Sequence, residues 1–363
     1  MNRLKRLSEL HEQLGQEPWP ETPEGLIENE FGLSVAARYQ GLALRNPLLV
    51  APGSMTVSLS QIKAIVRAGY AGAVLKSVVG EDAAGGCAMI AQRKQPTYVR
   101  TVYEPDDIEG ARPIIHWDGR LDARPLAEYL EFARDAKRLV GSAGFHCFAS
   151  FLCHLPLPGH DFLEDEWGHT ASLLLQAGYR HLEIDFCPFL SGDSYTEDQE
   201  NILRWYRSCT GFIKSVSPEL RVVPKLLNLD WDREFQLRMA EAAAAGGADG
   251  VVVANRIYKP QFQSGHGGEE LRQRNLAQIR SIRERLPGLA ISATGGVYCG
   301  RHVYDYLRAG AENVQLLSYL MGRVKKPFAR TAGGRLDKVF HRLLLDPEDG
   351  VVACVLREGH WHE

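Results

Sequence analysis

The sequence predicts a single (β/α)8 barrel of the TIM-barrel type. Eight short apolar runs alternate with helical segments, at the spacing of parallel strands joined by helical crossovers. The runs show no polar–apolar alternation, which is typical of strands buried on both faces. A chain of 363 residues is long enough for one such barrel with extensions. The predicted strands are residues 48–51, 73–79, 145–151, 181–186, 222–227, 250–254, 289–293 and 313–317.

The segments around these strands complete the predicted architecture. Residues 1–20 have the pattern of an amphipathic helix, and residues 33–44 that of a hairpin that turns near Gln40 and Gly41. Residues 80–120, after the second strand, are too long for a plain turn, so we expect a functional insertion over the site. We expect an N-terminal extension at 1–45, the barrel at 46–326 and a tail packed on it at 327–363. The predicted helices are 60–68, 126–140, 233–245 and 270–286, others within 161–177 and 197–216, a short one closing at Gly310, and a final one in the run DKVFHRLLL.

Composition and charge exclude several classes of function. The net charge of −3 gives no electrostatic argument for binding nucleic acid or an anionic membrane. The first twenty residues contain no continuous apolar run, so we expect neither a signal peptide nor a membrane anchor. The seven cysteines are scattered without CxxC pairs, which favours reduced thiols in the cytoplasm. The His and Cys spacing in HCFASFLCHLPLPGH matches no zinc pattern, so no metal site is predicted.

Two lysines inside apolar strands are the sharpest functional signal. Lys76 lies in AVLKSVV and Lys225 in VVPKLL. An isolated buried ammonium group is unfavourable, so each lysine must face an anion, water or a partner carboxylate. Both therefore indicate an anionic cofactor or substrate, and the alternative is a structural ion pair with a neighbouring strand.

Other candidates follow the strands at their carboxyl ends, where barrels of this kind hold their active sites. Gly295 and Gly296 follow the seventh strand, where a backbone without Cβ atoms can bind a phosphate, or where it can form a tight packing turn. Cys187 follows the fourth strand and is either a catalytic thiol or a small buried apolar residue. The remaining strand-end candidates are Ala51, Gly53, Ser77, Asp185, Asn255, Arg256 and Ser318.

Seven motifs in order resemble the dihydroorotate dehydrogenase family of flavin-dependent (β/α)8 barrels. They are NPLLVAPGS, AGYAGAVLKSVVG, HLEIDFCP, VVPKLL, GADGVVVAN, ATGGV and DYLRAGAENVQLLS, between residues 33 and 321. The resemblance implies FMN as cofactor. It implies that Ala51 and Gly53 line the isoalloxazine with Lys76 and Ser77 beside it, that Lys225 faces the flavin N1/O2 edge, and that Gly295, Gly296 and Ser318 hold the phosphate. It also implies Cys187 as general base, as in the soluble class, and Asn255 as a ligand of the substrate ring.

The sequence departs from the family where the substrate would bind. CPFLSGD and HWDGR stand where the family has asparagine-rich segments, Arg256 stands where Ser or Thr is usual, and Leu317 stands where Gly is expected. Because buried hydrogen bonds discriminate strongly between substrates, we expect a substrate other than dihydroorotate. Lys76, Asn255 and Arg256 are the predicted substrate ligands. Arg100 or Arg120 can join Arg256 at a carboxylate or can be ordinary surface residues.

Three functions remain open from the sequence. The first is an FMN-dependent oxidoreductase that acts on a C–C bond next to a carbonyl of a small polar, dihydroorotate- or dihydropyrimidine-like molecule, with Cys187 as acid/base and Lys225 as flavin partner. The second is a flavin- or metabolite-binding barrel that has lost its chemistry and serves as a partner subunit. The third is a barrel enzyme that uses Asp185 as base. The electron donor or acceptor is unknown, and the chain can form a homodimer.

Overall fold

The structure is a computed structural model that describes residues 3–16, 22–94, 98–107, 112–118, 122–140, 144–155, 159–185, 198–228, 233–259, 262, 264–322, 328 and 332–362. Its strands are β1 (Ala37–Tyr39), β2 (Leu42–Leu44), β3 (Leu48–Val50), β4 (Gly72–Val74), β5 (Val78–Val79), β6 (Tyr98–Val102), β7 (Ile114–Asp118), β8 (His146–Leu152), β9 (His181–Asp185), β10 (Arg221–Pro224), β11 (Gly250–Val253), β12 (Ile257–Lys259), β13 (Ser264–Gly267), β14 (Ala290–Thr294) and β15 (Asn313–Leu316). Its helices are α1 (Arg3–Gln16), α2 (Pro23–Phe31), α3 (Leu59–Ala68), α4 (Ile90–Arg93), α5 (Leu126–Leu139), α6 (Glu164–Gln176), α7 (Gln199–Val216), α8 (Arg233–Ala245), α9 (Glu270–Arg285), α10 (Gly300–Arg308), α11 (Ser318–Met321), α12 (Arg335–Leu345) and α13 (Val351–Glu358).

The described residues form a (β/α)8 barrel, which confirms the predicted fold class. Eight strands follow one another around the barrel in the order β3, β4, β8, β9, β10, β11, β14 and β15, and β15 pairs with β3. The pairings between these neighbours are parallel. Between β10 and β11, Lys225 forms a parallel bridge with Val252. There the Leu226 N–H donates to the Val252 carbonyl at 2.9 Å, which closes the barrel.

The second predicted strand, residues 73–79, is interrupted in the structure. Val74 is opposite Phe148 on β8, and Val78 is opposite Phe151. The second strand therefore advances four residues while β8 advances three. This extra residue is the geometry of a β-bulge, which bends a strand and changes the direction of its side chains. Lys76 lies in the bulge. The interruption therefore falls where a polar side chain leaves an otherwise apolar strand.

The insertion after the second strand forms part of a small antiparallel sheet. Strands β6 and β7 pair with each other, and β7 also pairs with β13, which pairs with β12. The glycine-rich run with Gly265, Gly267 and Gly268 is typical of a loop, but residues 264–267 form β13. Because β13 runs along β7, backbone pairing overrides the weak strand preference of glycine. We call this four-stranded sheet, β6, β7, β12 and β13, the roof sheet.

The N-terminal hairpin is confirmed, and it contacts the barrel interior. Strands β1 and β2 pair around Gln40 and Gly41, which both have positive φ, at 45° and 82°. The Tyr39 hydroxyl donates to Glu183 of β9 at 2.7 Å. Since Glu183 is 1% exposed, the hairpin contributes a hydrogen bond to the centre of the barrel.

Four of the described helices were not predicted: α2, α13 and the four-residue α4 and α11. Helix α2 begins at the Thr22 cap, whose side chain accepts from the Gly25 N–H at 3.3 Å, and it ends at Gly32 with φ of 62°. A threonine before Pro23 and a glycine at position 32 are sequence patterns typical of the start and the end of a helix. Helix α13 occupies a C-terminal segment for which we predicted no element, whereas the DKVFHRLLL run does form α12, as expected.

Within the described part of the chain, no helix combines the length and the apolar character needed to cross a membrane. Six of the seven cysteines lie in these ranges, and all six are free thiols.

Candidate active site

One cavity lies at the carboxyl ends of the barrel strands, beneath the roof sheet. It has an empty volume of about 750 Å³, part of it open to solvent. Nine of the candidate residues named from the sequence line it: Ala51, Lys76, Asp185, Lys225, Asn255, Arg256, Gly295, Gly296 and Ser318. Gly53 and Ser77 are not among the lining residues. Cys187, the predicted base, and Arg120 lie outside the described residues.

The two buried lysines and Arg256 give the cavity a concentration of positive charge. Lys76 is 7% exposed and Lys225 is 8% exposed. Burial lowers the pKa of Lys76 to about 7, and the nearby charges of Arg256 and Lys225 act in the same direction, while Asp185 and Asp122 oppose them. The pKa of Lys76 thus stays below its ordinary value although Asp185 and Asp122 raise it. A bound anion would raise it further.

Asp185 is the carboxylate that lines the same cavity, and two neutral donors hold it. The Asn255 side-chain amide donates to one carboxylate oxygen at 3.0 Å, and the Ser77 hydroxyl donates to the other at 3.3 Å. Ser77 is also 2.8 Å from the hydroxyl of Ser150. Ser77 therefore lies behind Asp185 and orients it, instead of lining the cavity as the resemblance implied.

The glycine pair after β14 has a conformation that requires glycine. Gly295 and Gly296 have φ of 96° and 64°. A Cβ atom at Gly296 would lie 2.9 Å from the Cβ of Arg272, so close packing against α9 also excludes a side chain. These contacts agree with the packing-turn alternative that the sequence left open.

The hydrogen bonds of Gly295 and Gly296 determine where their backbone N–H groups point, and so whether these groups can bind a phosphate. The Gly295 carbonyl accepts from the Tyr306 hydroxyl at 2.8 Å, and the Gly296 carbonyl lies 3.0 Å from His302 Nδ1, both on α10. In a trans peptide the N–H points opposite to the carbonyl. The N–H groups of Gly296 and Val297 therefore point away from α10, and both residues line the cavity.

Leu317 narrows the cavity where the family resemblance led us to expect glycine. A Cβ atom at Gly53 would lie 2.5 Å from the Leu317 Cδ2 atom, so the leucine side chain covers the Gly53 backbone. Leu317 and Ser318 both line the cavity. The resemblance implied that a flavin contacts the Gly53 backbone. From the side that Leu317 covers, a flavin can make this contact only if the leucine side chain moves.

Several lining residues were missed by sequence reasoning. Ile115 and Trp117 come from β7 of the roof sheet, and Gln315 comes from β15. Gln315 is fully buried, and its amide donates to Glu183 and, at 3.1 Å, to Ser292. Its carbonyl oxygen has no hydrogen-bond partner among the described residues. Gln315 therefore offers an unused acceptor to a ligand.

Glu183 lies beside Gln315 in the barrel interior. Burial raises the pKa of this carboxyl group, while the charge of Lys225 and hydrogen bonds from Tyr39 and Gln315 oppose the shift. The interior thus connects the hairpin to the cavity through Tyr39, Glu183 and Gln315.

Comparisons with known proteins give partial matches to one enzyme family. No protein-family model matches the chain. The quinone-type dihydroorotate dehydrogenase of Dichelobacter nodosus is 32% identical over 112 residues, which are 28% of this chain and 33% of that protein. A probable dihydroorotate dehydrogenase A (fumarate) of Enterococcus faecalis is 38% identical over 78 residues, or 21% and 25% of the two chains.

A third relative matches over a longer stretch. The catalytic subunit of dihydroorotate dehydrogenase B (NAD(+)) of Thermotoga petrophila is 23% identical over 193 residues, which are 49% of this chain and 68% of that protein. The first two matches span a third or less of those relatives. They therefore indicate a family relationship and do not establish an activity for this chain. The barrel, its cavity and these matches together relate the chain to the dihydroorotate dehydrogenase family.

Proposed function

We propose that the chain is an FMN-dependent oxidoreductase that acts on a C–C bond next to a carbonyl group in a small polar molecule. The observation that carries this proposal is the convergence of Lys76, Lys225 and Arg256 on one cavity at the carboxyl ends of the barrel strands. The relationship to dihydroorotate dehydrogenases selects flavin chemistry among the reactions that such a cavity can support.

The lining residues fit FMN by their chemistry. The N–H groups of Gly296 and Val297 and the Ser318 hydroxyl would hold the phosphate. Lys225 would face the N1/O2 edge of the ring, where a cation stabilises the anionic reduced flavin. The unused carbonyl of Gln315 would accept from an N–H group of the ring system. When bound, FMN supplies the ring nitrogen that exchanges a hydride with the substrate carbon.

The chain's own residues would bind the substrate and move the proton. In this proposal Asn255 orients the substrate ring and Cys187 exchanges the proton at its thiol. Asp185 is the alternative base. Its carboxylate lines the cavity and accepts from Asn255 and Ser77, so it is already held in one orientation. The proposed substrate resembles dihydroorotate or a dihydropyrimidine without being identical to dihydroorotate, because CPFLSGD and HWDGR replace the family's asparagine-rich segments and Arg256, which lines the cavity, replaces its Ser or Thr.

The first experiment is an absorbance spectrum of the purified protein, followed by identification of the released cofactor. We expect flavin bands in the visible region and FMN in the supernatant after denaturation. A colourless protein that cannot take up added FMN would contradict the proposal and favour the alternative of a barrel that serves as a partner subunit.

A second experiment separates the two candidate bases. Cys187→Ser and Asp185→Asn are compared with the wild type in pH–rate profiles, with flavin reduction by the substrate as the readout. If Cys187 is the base, C187S slows reduction about 100-fold or more and changes the pH dependence, whereas D185N retains the wild-type profile. The opposite pattern assigns the proton transfer to Asp185. Unchanged reduction in both variants would exclude both residues.

A further inference from the structure

Glu183 lies in the barrel interior, one layer below the cavity. It is opposite Ser150 of β8 and Val223 of β10, and neither of these buried side chains is charged. Because the pairing of β9 with β10 continues to Lys225 and side chains alternate along a strand, Asp185 and Lys225 point to the same face as Glu183 and Val223. Asp185 and Lys225 both line the cavity, whereas Glu183 is not among the lining residues. Glu183 is therefore buried directly behind charged groups of the cavity.

The hydrogen bonds of Glu183 all reach one carboxyl oxygen. The Tyr39 hydroxyl donates to Oε1 at 2.7 Å, and the Gln315 side-chain amide donates to the same atom. The other oxygen, Oε2, is buried and has no hydrogen-bond partner among the described residues. A buried, charged oxygen without a donor is unfavourable, and a proton on that oxygen removes the charge. The arrangement thus leaves one oxygen of Glu183 for a proton.

The groups around Glu183 act on its ionisation in opposite directions. Burial raises the pKa of the Glu183 carboxyl group, the charge of Lys225 and the hydrogen bonds from Tyr39 and Gln315 lower it, and the charge of Asp185 raises it. Lys225 is therefore a cation of the cavity that favours the ionised form of Glu183. Negative charge beside Lys225 would offset this effect and favour the protonated form.

We propose that Glu183 takes up a proton from solvent when negative charge develops beside Lys225, and that it thereby links one proton to the reduction of the bound flavin. When the substrate passes a hydride to FMN, the flavin gains one negative charge, which Lys225 would compensate. The Glu183 carboxylate then binds one proton and becomes a carboxylic acid, and reoxidation of the flavin releases that proton. Glu183 acts through Lys225 and not by contact with the substrate. This inference rests on the proposed function, which places the N1/O2 edge of the flavin at Lys225.

The test measures the midpoint potential of the bound FMN between about pH 5 and pH 9 in the wild type and in Glu183→Gln. Each proton taken up with two electrons lowers the potential by about 30 mV per pH unit. Glutamine keeps the size of the side chain and cannot ionise, so the slope of E183Q should be shallower than that of the wild type by about 30 mV per pH unit, over at least about one pH unit. Lys76 and the flavin are present in both proteins, so their own protons contribute to both slopes.

Glu166→Gln is the matched control. Glu166 is also a buried glutamate, burial raises its pKa to about 7, and it is not among the residues that line the cavity. E166Q should therefore keep the wild-type slope. A second readout is the infrared difference spectrum of reduced minus oxidised protein, in which a carboxylic acid band should appear in the wild type and E166Q and be missing in E183Q.

Equal slopes in the wild type and E183Q would overturn the inference. If circular dichroism shows that E183Q is unfolded, Tyr39→Phe takes its place, because it removes a donor that favours the ionised form of Glu183. Y39F should move the steep part of the curve to higher pH by about half a unit or more, and an unmoved curve overturns the inference.

A protein that takes up no FMN would contradict the proposed function, and the link between Lys225 and Glu183 is then tested without flavin. The pKa of Glu183 is measured by carbon-13 NMR of labelled glutamate in the protein as purified. Lys225→Met removes the cation and should raise that pKa by about one unit or more, which would support the link. An unchanged pKa overturns the inference.

Discussion

The pKa of Lys76 makes a quantitative prediction about stability. Its ordinary value of 10.5 falls to about 7 in the folded protein, mainly through burial. Between these two values the unfolded chain holds a proton that the folded chain releases, so folding is favoured as the pH rises. Below about pH 7 both states are protonated, and the unfavourable burial of the charge applies in full. The shift corresponds to about 5 kcal/mol, of which about 3 kcal/mol is recovered between pH 6 and pH 9.

The perturbation is Lys76→Met, which keeps the length of the side chain and removes the charge. The free energy of unfolding is measured in urea at pH 6, 7.5 and 9, without FMN and without phosphate. The wild type minus K76M difference should rise by about 3 kcal/mol from pH 6 to pH 9. Lys76→Arg is the matched control, because arginine stays charged over this range and its difference from K76M should not change with pH.

A flat wild type minus K76M difference would refute this reasoning. It would mean that Lys76 titrates as it does in an unfolded chain, and therefore that the ammonium group is solvated or paired in the folded protein. Lys76 would then need no bound anion to compensate its charge.

Two further predictions concern the space above Gly53 and the barrel interior. Leu317→Gly should uncover the Gly53 backbone and strengthen FMN binding about threefold or more in a fluorescence titration, with Leu320→Ala as a control for the loss of a leucine side chain; unchanged or weaker binding would show that Leu317 does not restrict the cofactor. Tyr39→Phe removes a donor to the buried Glu183 carboxyl group and should lower the free energy of unfolding at pH 7 by about 2 kcal/mol in urea. A change below about 0.5 kcal/mol would mean that this hydrogen bond adds nothing to the stability of the barrel.

Hydrophobic periodicity was sufficient to predict the barrel. The apolar runs of β3, β8, β14 and β15 differ from their predicted bounds by a residue or so, because such runs are buried whatever the details of the surrounding loops. The bulge at Lys76 was not predicted. A bulge is defined by register against the neighbouring strand, and the sequence of one strand contains no information about that register.

The roof sheet shows a second limit of the sequence. Its strands are short, and the pairing of Trp117 with Gly265 joins residues that are far apart in the chain. Half of the residues of β13 are glycines. Local patterns cannot reveal such pairs. The lysines of the cavity could be predicted because each is a charged residue in an apolar strand, which requires an explanation by itself. Trp117 and Gln315 could not, because a tryptophan or a glutamine in a strand is ordinary until the opposite wall is known.

The buried charge of Lys76 would also attract the anion that we propose for this cavity. Below pH 7 Lys76 is already charged, so an anion that binds beside it compensates the buried ammonium group without the uptake of a proton. Above pH 7 the same anion binds only as Lys76 takes up a proton, so its affinity should fall by up to about tenfold per pH unit until the pKa of the bound state is reached. A bound anion therefore stabilises the folded protein more at pH 6 than at pH 9, which is the reverse of the stability of the protein alone. A buried lysine that destabilises the barrel alone is thus explained if the functional protein has an anionic ligand bound beside it.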